Sequence, residues 1–570
     1  MQINAYDRTI FQLFTSNNKY IVPRFQRPYC WEQEHVSQLW EDIISNVELE
    51  NDSYKNNEYF IGSLVLIGES NSDTFQIVDG QQRLTTIVIF LSALIEYYKR
   101  VGKEDLAKGI YTLIEGNDFN NKKFFKLINE TPKPFFQAGI QNYDKGTLLP
   151  SSDEETYLKQ AYDLVFDRII KISKSAESEK KLVDYLNAIR DQITQLKVIF
   201  ITVDNEDDAY TIFETLNSTG KDLSVTDLIK NAVYRVLNIE HPTDEANDSW
   251  KKVSENLNQR EKGIDLDQFL LHYWLSKYEH TSKKKLYKSF KKNIPLEINN
   301  IRVFLEDLIV ESEVYTKISY PLHADWPLQE EREIFLSLRA LNVFKVTQCR
   351  GLFLALISQR ANGNLSLRDF ITAIKNIEKF HFLFTAVCSS RPSGLESKYS
   401  KYGKSLRQSS NKAESRRILF DLMEDLKSKV PNKSIFIDSF SNIWFTNART
   451  DNKTLIRYIF YNYEKYLRRT NELDVAIFTL EHIAPQSNTS LRDCIGQIGN
   501  LLPLCNTINN VASDKPLSDK IYLYDRSQLL TVKEFLSNLG DKTIWEEGDI
   551  INRTQHIAEV SYGSIWTLSN

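Results

Sequence analysis

LEHIAPQS (480–487) and IGNLLPLCNTINN (498–510) are the stretches on which the reading of the chain turns. The run VAIFTLEHI is apolar and rich in β-formers, so it reads as a strand that Pro485 stops. It delivers Glu481 and His482 side by side. Neighbouring strand residues point to opposite faces, but a strand that ends at Pro485 lets both side chains turn toward one site. A loop and short helices follow, with SDK at 518–520.

These residue types suit phosphodiester hydrolysis. A neutral imidazole near pH 7 can deprotonate water. A divalent cation must neutralise charge on the scissile phosphate and the leaving oxygen. Magnesium prefers oxygen ligands, which Glu481 and an Asn side-chain carbonyl supply. A second Asn amide can fix the loop that carries the base. A lone histidine would read as a satisfied residue at a strand end; the full string is more specific. Cys494 and Cys505 flank it, but two further ligands at zinc spacing are lacking.

Toward the N-terminus two further strings stand out, IVPRFQRPYCW (21–31) and FQIVDGQQRLTT (75–86). The first reads as an extended arm leading into the helix WEQEHVSQLWEDIISNV. YFIGSLVLIG and FQIVDG read as strands, and LTTIVIFLSALIEYYKR as a buried helix that starts directly after the second. Gly80 allows a sharp turn, and the free N–H groups behind it form an anion site at the positive end of a helix. Arg83 can add a bidentate phosphate contact, Gln81 and Gln82 amide donors, and Asp79 an acceptor for a metal or water. As a lone motif, the turn reads as plain architecture.

Between about 155 and 470 the chain reads as mostly helical, from segments such as DDAYTIFETLNS, LDQFLLHYWLSKY and KTLIRYIFYNYEKYL. Two basic, aromatic segments lie there. KKKLYKSFKK (283–292) reads as a solvated helix face with Tyr287 and Phe290 turned inward. KYSKYGKSLRQ (398–408) reads as a mobile loop and a candidate DNA contact.

With 570 residues, the chain is expected to form two or three domains. Its net charge of −5 argues against indiscriminate coating of DNA and suits an enzyme that engages DNA through a restricted surface. No apolar run reaches the roughly 18–20 residues that span a bilayer, and MQINAYDRTIFQLFTSNN lacks the features of a signal peptide. The expected location is the cytoplasm, without membrane contact. The five cysteines form no C-x-x-C pair, which argues against disulfides and a structural zinc cluster.

The C-terminal string resembles the ββα-metal fold of HNH nucleases: an acidic residue and His, then I-x-P, then Asn, and Asn nine residues later. The resemblance implies that His482 is the general base, Glu481 and Asn509 are metal ligands, and Asn500 holds the loop. The family's usual acid is Asp, one methylene shorter than Glu481, and Asn510 is an alternative to Asn509. The N-terminal strings resemble the ParB/sulfiredoxin-like domain of GmrSD-type restriction enzymes, as does IFETLNSTGKDLSVTDLIKN (212–231). There the D-G-Q-Q-R turn belongs to a nucleotide-binding and hydrolysing site, which implies roles for Asp79, Gly80, Gln81, Gln82, Arg83 and Arg27. The closing pattern Trp545, Ile550, Arg553, Ile565 and Trp566 also looks familial.

The expectation is an α+β, multidomain protein: a ParB/sulfiredoxin-like nucleotide-binding domain (1–155), a helical middle region (156–420) and an HNH nuclease domain (421–570). It would be a nucleotide-regulated DNA endonuclease acting on modified phage DNA, with Mg²⁺ or Mn²⁺ and a nucleoside triphosphate. A homodimer would help it make double-strand breaks. The alternative is a DNA- or nucleotide-binding sensor with a degenerate nuclease site. A sulfiredoxin-like redox enzyme is excluded, because the D-G-Q-Q-R turn has no cysteine.

Overall fold

The computed structural model describes residues 3–23, 26, 28–51, 53–68, 72–130, 133–146, 148–204, 225–237, 244–260, 262–391, 393–469 and 477–569. They belong to two compact units, Met1–Val236 and Leu237–Asn570. Arg27 and most of the 212–231 string, with the expected helix DDAYTIFETLNS, lie outside the described residues.

The first unit is built on a mixed sheet of β1 (Ile3–Thr9), β2 (Lys19–Val22), β3 (Phe60–Ile67), β4 (Thr74–Asp79), β5 (Leu127–Asn129) and β6 (Lys197–Val203). Their order is β1-β6-β3-β4-β2-β5. β1 runs antiparallel to β6, pairing Ile3 with Val203 and Thr9 with Lys197, and β6 runs parallel to β3. Within the region expected to be mostly helical, β6 is a strand that inserts between β1 and β3 to complete the sheet. The border expected at 155 falls inside a helix of this unit. The helices are α1 (Gln33–Ser45), α2 (Gln81–Arg100), α3 (Asp153–Ser175) and α4 (Glu179–Gln195). α2 is apolar on nearly every side and buried from Thr86 to Ile95, as befits a central helix. Trp40 of α1 meets its Phe90 edge-on, with ring centroids 5.4 Å apart. α3 starts where the Ser152 side chain accepts from the Glu155 N–H, with Asp153, Glu154 and Glu155 at its positive end.

The second unit is largely helical. Its elements used below are α5 (Leu266–Lys277), α6 (Ile298–Ser319), α7 (Arg332–Val343), α8 (Arg350–Ala361), α9 (Leu367–His381), α10 (Leu395–Gln408) and α11 (Lys453–Arg468). β7 (Thr479–His482), β8 (Leu501–Leu504), α12 (Asn506–Ala512), α13 (Leu517–Tyr524), α14 (Leu530–Leu539) and α15 (Glu547–Val560) follow. The segment 398–408, expected as a loop, lies in α10. Tyr399, Tyr402 and Leu406 form a buried stripe at helical spacing, and Gly403 lies against the backbone of Leu352 in α8. In 283–292, Leu286 and Phe290 are buried and the lysines face solvent. Among the described residues, no helix is long and apolar enough to cross a membrane.

Two buried contacts support β7 and β8 from behind. The fully buried Glu464 carboxylate of α11 accepts from the N–H groups of Leu530 and Thr531, the Thr531 hydroxyl and Arg468 Nε. It thereby caps α14, which packs on β8. Gly499, at the entry to β8, lies against α15: a Cβ there would stand 2.0 Å from the Ile550 carbonyl oxygen and 2.8 Å from the Thr554 nitrogen. Glu464→Ala strands two helix N–H groups and is expected to cost about 3 kcal/mol of unfolding free energy, read as a lower denaturation midpoint. Gly499→Ala must push α15 away at a cost of about 1–3 kcal/mol. An unchanged melting temperature in Gly499→Ala would contradict this packing.

Candidate active site

β7 and β8 pair antiparallel, with Glu481 opposite Leu502 and His482 opposite Leu501. α12 follows β8 directly, so the region is a two-stranded sheet with a helix. The ladder stays regular through His482, and the pairing with Leu501 holds the last strand residue in place.

His482 is buried and stacks on Phe445, with ring centroids 5.6 Å apart. Its Nε2 lies 3.1 Å from the Phe445 carbonyl oxygen, which can only accept. The proton therefore sits on Nε2, and Nδ1 keeps its lone pair. The Gln486 side-chain nitrogen donates to that Nδ1 at 3.2 Å. The Asn447 N–H donates to Gln486 Oε1 and so fixes which end of the amide faces the imidazole. Burial pushes the His482 pKa down to about 4, so the ring is neutral at pH 7.

Glu481 faces α13. Its Oε1 lies 2.7 Å from the fully buried Lys520 ammonium and accepts from the Tyr524 hydroxyl at 3.3 Å. Burial raises its pKa, against the pull of Lys520. Lys520 also donates to the His482 carbonyl oxygen at 2.7 Å, so one ammonium touches both residues of the motif. Asn509 of α12 donates from Nδ2 to Thr479 Oγ1 at 2.6 Å. Asn509 thereby reaches β7 at Thr479, two residues before Glu481.

Asn500 is fully buried. Its Oδ1 accepts from the Ala484 N–H at 2.8 Å, and its Nδ2 donates to the carbonyls of Ala484 and Ile495. It therefore ties down the segment that follows His482. Arg553 of α15 donates to the carbonyl oxygens of Gly499 and Leu501, at 2.9 and 2.7 Å, and holds the turn that carries Asn500.

A carboxylate and an amide oxygen are hard donors, a set that fits magnesium or manganese retaining several waters. The Lys520 ammonium is a rival cation on the same carboxylate. Among the described residues no three His, Cys, Asp or Glu side chains cluster as a metal site.

In the first unit Gly80 adopts a left-handed conformation (φ 97°) between β4 and α2. The side chains of the turn are engaged within the fold. Arg83 pairs with Asp79 at 3.0 Å and donates to the Ile61 carbonyl oxygen at 2.7 Å. Gly62 is required beside it, since a Cβ there would stand 2.2 Å from the guanidinium. Gln82 donates to the Pro28 carbonyl and accepts from the Cys30 N–H, clasping the arm. Gln81 is buried, and the cavity beside Gln81 and Gln82 measures about 20 Å³, room for about one water.

The sequence reading included Lys520 and Gln486 in its strings SDK and LEHIAPQS without giving them a role, and it missed Tyr524 and the Phe445 carbonyl. Lys520 and Tyr524 are four apart in a helix, a spacing that puts both on one face. Gln486 stands directly after Pro485 in the motif. Nothing in the sequence marks the Phe445 carbonyl, because the contact is through the backbone.

Residues 10–234 match the family described as GmrSD restriction endonuclease, N-terminal domain, and residues 430–560 match the GmrSD restriction endonucleases, C-terminal domain. The search of curated proteins found no match. The two matched regions together span more than half of the chain, and it belongs to the GmrSD-type restriction endonuclease family.

Proposed function

We propose that the second unit hydrolyses DNA phosphodiester bonds at the β7–β8 site by HNH-type chemistry, with His482 as general base. The observation that carries this is the fixed tautomer: the Phe445 carbonyl holds the proton on Nε2 and leaves Nδ1 basic. Gln486 marks the direction of that lone pair, and the water to be deprotonated would take its place. Asn500 positions the base through the Ala484 backbone. Mg²⁺ or Mn²⁺ would be held by Glu481 and Asn509, and when bound would neutralise charge on the phosphate and the leaving oxygen. Lys520 opposes the rise that burial imposes on the Glu481 pKa and holds the carboxylate in place.

The same ion pair favours a second reading, a DNA-binding sensor in which Lys520 has taken the place of the metal and no bond is cut. Plasmid nicking separates the two. His482→Ala is expected to lower cleavage by about 10²–10⁴-fold; full cleavage by this variant would end the nuclease reading. Chelation with EDTA is expected to stop cleavage, and Mg²⁺ or Mn²⁺ to restore it. Cleavage that persists in EDTA would leave Lys520 as the cation at Glu481.

Restriction of modified phage DNA and control by a nucleotide complete the proposal. Both rest on the family relationship, and the packed Asp79–Arg83 turn contributes no step to them. A panel of modified and unmodified phage DNAs, with and without each nucleotide, tests both. Arg83→Ala is expected to weaken nucleotide binding if the turn opens to a ligand. Unchanged affinity with a lowered melting temperature would make Arg83 a strut only.

A further inference from the structure

A cavity of about 630 Å³ lies in the second unit among α7, α9 and α11, closed by Phe478 and Trp566. It is some thirty times the volume of the cavity beside Gln81 (about 630 against about 20 Å³) and within the range of small-ligand sites. Five basic side chains line it, Arg339, Lys375, Lys379, Arg457 and Lys465, against the carboxylates Glu333 and Glu378.

Most of these charges are engaged. Glu333 pairs with Lys375 at 2.8 Å and Lys465 at 3.3 Å. Glu378 accepts from the hydroxyls of Ser337 and Tyr458, and Lys379 donates to the Thr567 carbonyl. Arg339 and Arg457 are exposed, and their recorded contacts are with the rings of Phe335 and Phe478. Among the described residues neither has a carboxylate partner. The inner wall is aromatic and rigid: Trp566 Nε1 donates to the Tyr458 hydroxyl, which donates to Glu378. Tyr461 and Tyr466 add flat surface nearer solvent. Guanidinium groups that have no carboxylate partner among the described residues, beside aromatic walls, match a ligand with a phosphate and a planar ring.

The place of the cavity narrows the source. Phe478 directly precedes β7, so the cavity lies four residues along the strand from His482, about 13 Å. At about 3.4 Å per nucleotide of one duplex strand, that is within a few nucleotides of the cut. Enzymes that inspect a single base take it out of the stack into such a pocket.

We propose that this cavity is a nucleotide-binding site, with the base against Tyr461 and Tyr466 and the phosphate on Arg339 and Arg457, and that it takes a nucleotide of the strand being cut. The choice of that strand rests on the endonuclease reading; the nucleotide chemistry of the cavity does not. The test uses the full chain carrying His482→Ala, so that binding is read without cleavage. The probes are 2′-deoxycytidine 5′-monophosphate, a mixed-sequence single-stranded oligonucleotide and inorganic phosphate, followed by calorimetry. The monophosphate is expected to bind more tightly than inorganic phosphate, and the oligonucleotide to compete with it. Arg339→Ala with Arg457→Ala should weaken both by about tenfold or more, and since both residues are exposed the fold is not at stake. Monophosphate binding without competition would make a free nucleotide the source. If neither probe binds, or the double variant binds both unchanged, the cavity is no nucleotide site. Monophosphate binding in a chain whose wild type never cuts DNA would overturn the endonuclease reading and spare the cavity.

Discussion

The side-chain amide of Asn500 joins separate pieces of backbone around the site. It accepts from Ala484, donates back to Ala484, and donates to Ile495. The end of β7, the start of β8 and the loop between them are thereby fixed. The rest of the site is arranged around that clamp. Gly499 has no side chain because α15 lies against it, and Arg553 of that helix holds the carbonyls on either side of Asn500. An isolated two-stranded sheet is marginal in water, so its precision comes from these buried polar contacts and from the α14 cap at Glu464.

Lys520 brings chemistry and architecture into one residue. A buried carboxylate without a counter-charge would protonate, and the ammonium supplies the charge at 2.7 Å. Because it also binds the His482 carbonyl, it sets the position of the strand end on which the imidazole stands. The Asp79–Arg83 pair in the first unit is a parallel case: polar residues that look poised for a ligand serve the fold, bonding to a strand carbonyl and to the arm.

The reading from sequence was uneven for physical reasons. β3, β4 and α2 were legible because apolar runs bounded by Gly80 carry their own signal. β6 has an equally strand-like sequence, KVIFITV, but its partners are more than a hundred residues away, and the reading did not single it out. The segment 398–408 was taken for a loop on its glycine and serines, yet Tyr399, Tyr402 and Leu406 are spaced as a helix stripe and Gly403 serves close packing.

By itself the sequence determined the residue types at the site: a histidine and a carboxylate on a strand, followed by two asparagines at fixed spacing. That information is local, carried by a few adjacent side chains and a proline. Only the tertiary structure decided the state of each group. The tautomer of His482 depends on a carbonyl 37 residues away in sequence. The charge of Glu481 depends on a lysine brought up by a later helix, and the basic cavity beside β7 exists only where α7, α9 and α11 meet. Proton position, ionisation and cavity shape are set by burial and by distant partners, and no short window of sequence contains them.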